Sequence, residues 1–129
     1  MEDSAWSLLD AAVEEAFALS KRTLENGEKW ELSQCNPEVS ADLELYEDAI
    51  IGNAWACLEN RRRGRRTDGG LAWASDAART AEEHFGISMD TVVADYAERF
   101  PVVLETVLRT RELAGLVHRL EQASEASVA

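Results

Sequence analysis

Cysteine, proline and lysine are scarce in this 129-residue chain, and each scarcity closes off a class of explanation. Two cysteines, Cys35 and Cys57, cannot build a disulfide scaffold, and without a C-x-x-C spacing they do not read as a thiol–disulfide redox pair. Both are expected to be reduced thiols, with Cys57 packed as a small hydrophobe on a helix. The two prolines, Pro37 and Pro101, leave long uninterrupted stretches in which helices can run. Two lysines against eleven arginines point to a GC-rich coding sequence and a bacterial source. No apolar run approaches the length of a membrane span, and the start, Met1-Glu2-Asp3-Ser4, is acidic where a signal peptide would be basic. A cytoplasmic protein with no membrane contact is the expectation.

Catalytic and metal-binding signatures are missing as well. A carboxylate-rich helical bundle can hold a di-iron centre, but that chemistry needs Glu-x-x-His motifs. His84 is preceded at that spacing by Ala81 and His118 by Gly115. There is no Asp-rich calcium loop and no Cys/His cluster at zinc spacing, so no metal and no cofactor are expected. Gly69-Gly70 lacks the Lys-Ser/Thr of a phosphate loop and reads as a turn. Nothing marks a nucleophile with its base. The expectation is a protein that is not an enzyme.

What the chain does have is helical periodicity almost throughout. Trp6, Leu9, Val13, Ala16/Phe17, Ser20 and Leu24 form one apolar stripe, opened by Ser4 as a cap and closed by Asn26-Gly27. Leu43, Tyr46, Ile50, Ala54 and Cys57/Leu58 form a second, with Pro37 and Ser40 as start signals and Gly64 as its end. A third runs from Leu71 to Phe85, and a fourth follows Ser88 with Val92/Val93, Tyr96 and Phe100. Pro101 suits the first turn of a fifth, to about Gln122, carrying Val103, Leu104, Val107, Leu108, Ala114 and Val117. Residues 27–39 are predicted as the longest irregular stretch, pinned to the core by Trp30. The predicted fold is all-α, a single-domain bundle of about five helices over residues 1–123, with a flexible tail at 124–129.

Charge is segregated along the chain. Residues 1–60 hold fourteen carboxylates against Lys21, Arg22 and Lys29, a balance of −11 within a total of −12. Five arginines then follow within six positions, Arg61, Arg62, Arg63, Arg65 and Arg66. The acidic balance argues against direct binding to nucleic acid or to an anionic membrane. Asp10 and Glu14 on the first helix, and Glu44, Glu47 and Asp48 on the second, are like charges at i, i+3 and i+4, an arrangement that costs a few tenths of a kcal/mol per pair. Either these acids are a solvated face near helix starts, or a basic partner relieves their repulsion. Trp55 falls off the main stripe of its helix, so either that helix is buried on two faces or Trp55 anchors a contact surface. The arginines complement a helix C-terminus; alternatively they make a second contact, with helix one or with the acidic face of a second copy in a homodimer.

Ala16-Phe17-Ala18-Leu19, Asn53-Ala54-Trp55-Ala56-Cys57-Leu58, Ala72-Trp73-Ala74-Ser75-Asp76-Ala77-Ala78 and Phe100-Pro101-Val102-Val103, with Arg109 and Glu112-Leu113 beyond, resemble in order the bacterial "domain of unknown function 416" family. The resemblance implies an all-helical cytoplasmic protein and no enzymatic activity. Members are typically longer between the first two helices, and the arginine cluster lies outside their pattern.

These features together lead to a small acidic binding protein of the immunity, antitoxin or inhibitor kind, which neutralises a basic protein partner (a toxin or a nucleic-acid-binding enzyme). The partner-binding residues would be Asp10, Glu14, Glu44, Glu47, Asp48 and Trp55. One alternative is a nucleic-acid mimic of the phage anti-restriction type. Another is a helical-bundle enzyme or small-ligand protein with an apolar pocket lined by Cys57, Trp73, Tyr96 or His118.

Overall fold

A computed structural model describes residues 2–65, 76, 79, 83 and 96–128, and every described element is helical. Helix α1 is Glu2–Glu25, α2 is Glu28–Cys35 and α3 is Pro37–Glu47. A π-helical turn, Asp48–Gly52, joins α3 directly to α4, Asn53–Arg62, so that residues 37–62 form one rod. Helix α5 is Pro101–Val128 and continues past Gln122. Asp76, Arg79 and Glu83 are helical, as are residues 96–99; the remainder of the third and fourth predicted helices lies outside the described residues.

The ends of these helices follow from their sequence. Gly27 adopts a left-handed φ of 82° that closes α1, and the Glu28 N–H opening α2 donates to the Asn26 side-chain oxygen at 3.0 Å. Asn36 stands outside the helical region before Pro37, as the proline ring favours, and Pro37 occupies the first turn of α3. At the far end of the rod Gly64 (φ 71°) donates to the Arg61 carbonyl at 3.0 Å, and Arg65 N–H donates to Asn60 at 2.7 Å. That pair of bonds is the glycine-terminated helix end. Pro101 begins α5 just after Phe100, which leaves the helix there. The wider π turn is flanked by Asn53, whose side-chain amide donates to the Ala49 carbonyl at 2.9 Å.

Two apolar clusters make the core. The larger joins Leu9, Val13 and Ala16 of α1, the rod from Tyr46 to Leu58, and Leu113, Val117 and Leu120 of α5. The smaller joins Leu32 of α2, Leu43 of α3, Tyr96, Phe100, Val103 and Val107. Three fully buried threonines, Thr23, Thr106 and Thr110, satisfy their hydroxyls on carbonyls of their own helices at 2.7–2.9 Å.

Three expectations change. Residues 28–35 are helical rather than irregular, and Trp30 is 68% exposed, so Leu32 and not Trp30 reaches the core. Ser4 lies inside α1 rather than capping it. Phe17, Leu24 and Leu108 fall at the edges of their stripes and are exposed, while their neighbours Ala16, Thr23 and Val107 are buried.

Helix α2 shows why periodicity missed it. Leu32 is its single buried residue. Burying one leucine contributes about 1.5–3 kcal/mol, whereas ordering each backbone residue costs about 1–2 kcal/mol. Polar anchors do the rest. Lys29 Nζ lies 2.6 Å from Glu47 Oε2 of α3 and donates to Ser20 Oγ of α1 at 2.9 Å; Ser20 Oγ in turn donates to Glu47 Oε2 at 3.0 Å. Next to it, Glu28 Oε2 accepts the Val103 N–H at 2.8 Å, satisfying a free donor at the start of α5. Two adjacent residues of α2 thus bind three other helices.

Candidate functional site

The acids singled out by spacing divide into three environments. Glu47 is 6% exposed and occupied by Lys29 and Ser20, because it points inward beside Tyr46. It is a structural residue, which corrects its assignment to a partner-binding face. Asp10 is half-buried on α1 and pairs with Arg62 of α4, which also holds Glu59. Hydrogen bonds to Asp10 first and Glu59 second raise the guanidinium further above its ordinary value. Glu14, Glu44 and Asp48 are exposed and enter no ion pair among the described residues.

These acids do not form one patch. Helix α1 runs antiparallel to the rod, since Asp10 meets Arg62 while Ser20 meets Glu47. Asp48 is therefore about 20 Å along the rod from the Asp10–Arg62 pair, at ~1.5 Å of rise per residue. Glu14 belongs to the Asp10 end, and Glu44 and Asp48 to the other.

The solvent side of the rod carries an exposed stripe. Exposed positions succeed one another at helical steps through Glu44/Leu45, Asp48, Gly52 and Trp55/Ala56, and beyond half-buried Glu59, which pairs with Arg62, the stripe resumes at Arg63. Leu45 is 63% exposed and Trp55 47% exposed, so two large apolar side chains share this stripe with the unpaired acids. Trp55 lies off the buried stripe of its helix. Leu45 was missed in the sequence because it sits between two residues, Glu44 and Tyr46, that each carried a clearer signal.

Two of the arginines make contact with helix one. Arg61 lies over the Trp6 ring, 4.5 Å from its centroid, and Arg62 binds Asp10. With Ser7 and Leu58 these residues line an open groove of about 310 Å³. Arg63 and Arg65 are exposed. Arg66 lies outside the described residues.

The described residues among those named for a small-ligand pocket do not converge. Cys57 is in the larger core cluster, Tyr96 in the smaller, and His118 is exposed on α5; Trp73 lies outside the described residues. Burial pushes the Cys57 thiol above its ordinary value, which disfavours the thiolate a nucleophile needs. Among the described residues no three His, Cys, Asp or Glu side chains are grouped to hold a metal ion, and no helix is long and apolar enough to cross a membrane. No family model matches the chain, and neither a curated protein nor a solved structure matches it.

Proposed function

We infer that this chain is a small acidic binding protein of the immunity or inhibitor kind, cytoplasmic and bacterial, which engages a basic protein partner through the solvent side of the α3–α4 rod. One observation carries the reading. Glu44 and Asp48 repel each other one turn apart, lack a described counter-ion, and stand beside exposed Leu45 and Trp55. Acids ringing exposed apolar anchors are a composition suited to a basic surface, which would relieve the repulsion while burying the anchors. Glu47 is not part of this face, and Asp10 is engaged by Arg62.

Co-purification from the native host tests the reading, comparing the wild type with Glu44→Lys/Asp48→Lys. The expected result is a basic protein retained by the wild type, released by high salt and absent from the double variant. Recovery of no basic protein sensitive to those two changes would contradict it. Both substitutions fall at exposed positions, so loss of binding would not reflect loss of fold.

A further inference from the structure

The exposed stripe of the rod changes sign along its length. Glu44 and Asp48 stand at one end, Arg63 and Arg65 at the other, and none of the four enters an ion pair among the described residues. The arginine end is geometrically fixed, because the bonds from Gly64 to Arg61 and from Arg65 to Asn60 lock the backbone that carries it. Asp48 and Arg63 are about 22 Å apart along the axis at ~1.5 Å per residue, beyond the reach of two side chains. Among the described residues, then, neither end of this stripe is neutralised within one molecule. Between the charged ends lie Gly52, Trp55 and Ala56, two very small residues around one exposed aromatic.

We propose that this stripe pairs with the same stripe of a second copy, antiparallel, about a twofold axis beside Trp55 and Ala56. In that register Asp48 of each copy faces Arg63 of the other, and Arg65 comes within reach of Glu44. Each Trp55 lies over the Ala56 of the second copy, and Gly52 makes room opposite Glu59. An isologous contact must be self-complementary, and a stripe acidic at one end and basic at the other satisfies that condition only when antiparallel. The parallel arrangement would set Asp48 against Asp48.

The size of the surface fixes the strength expected. Residues 37–62 span about 39 Å of helix at ~1.5 Å per residue, one helix-width across. That buries a few hundred Å² per copy, short of the ~800 Å² per partner of a standard stable interface. The dimer is therefore weak, and it depends on salt because its charged pairs sit at the rim. The pairing stands independently of the basic-partner reading. The two use the same acids, so a basic partner would compete with the second copy.

Sedimentation equilibrium of the purified chain tests the pairing without any other protein. The wild type is expected to self-associate at low ionic strength and to be monomeric at about 0.5 M salt, where the Debye length falls to a few Å. Glu44→Arg/Asp48→Arg makes the stripe basic throughout, and Arg63→Glu/Arg65→Glu makes it acidic throughout. Each variant alone should be monomeric with an unchanged helical circular dichroism spectrum. An equimolar mixture should restore the dimer, because every pair is then complementary across the two chains. A monomeric wild type at low salt, self-association that neither variant alters, or a mixture that stays monomeric would each overturn the proposal.

Discussion

The α3 and α4 segments of the rod carry ion networks of opposite consequence. At the α3 end Lys29, Glu47 and Ser20 join three helices with side chains 14% and 7% exposed for the ion pair. At the α4 end Arg62 joins Asp10 and Glu59 with all three side chains reachable by water. A buried charge that loses its partner has no solvent to replace it, whereas an exposed one exchanges its partner for water at little cost. The first network determines where α2 sits. The second is a contact the protein can break, next to a groove and two exposed arginines.

The largest expected effect comes from leaving one buried charge alone. Lys29→Met removes the ammonium and strands Glu47, and a denaturant titration should show a loss of about 3–5 kcal/mol. Adding Glu47→Leu should recover most of it, because two apolar side chains of similar volume leave no charge uncompensated. If the double variant is no better than the single, the network does more than neutralise itself.

A smaller effect is expected at the neighbouring cap. Glu28→Ala frees the Val103 N–H at the start of α5 and should cost about 1 kcal/mol, as loss of other helix caps does. Amide exchange at Val103 should accelerate with it. Protection unchanged at that amide would mean that the cap is not formed in solution.

The Cys57 thiol gives a pH-dependent term. Its ordinary value is 9.0 and burial raises it in the folded chain, so the unfolded chain releases the proton first as pH rises. The stability this thiol contributes is complete below about pH 9 and is lost as pH climbs through the folded value, with a slope of at most ~1.4 kcal/mol per pH unit. The stability difference between wild type and Cys57→Ala should therefore shrink above pH 9. A difference flat with pH would contradict the burial. Smallest of all, Asp10→Asn should leave the denaturation midpoint nearly unchanged at neutral pH, since Arg62 keeps Glu59 and gains water.

Apolar spacing made most of this fold legible. Leu9, Val13, Tyr46, Ile50, Ala54 and Val117 are buried where a helical stripe places them, and Gly27, Gly64 and Pro101 end or begin helices as their backbone preferences require. Helix α2 was not legible, because Leu32 alone gives no stripe and its docking depends on Lys29 and Glu28 finding partners far away in sequence. The same limit applies to the acids. Glu44, Glu47 and Asp48 look equivalent as a spacing pattern, yet only Glu47 turns toward α1 and α2. Local sequence states which residues share a face; it does not state which member of that face meets a lysine from another helix.

The division of the rod's acids into one that holds the fold and two that face outward is the central claim. Urea titration of Glu47→Gln beside Glu44→Gln/Asp48→Asn, in one buffer at neutral pH, tests it most directly. The expected result is a midpoint far below wild type for Glu47→Gln. For the double variant it is a midpoint equal to wild type or slightly above, since like charges one turn apart cost about 0.2–0.5 kcal/mol. Comparable losses in both, or a loss confined to the double variant, would contradict the division.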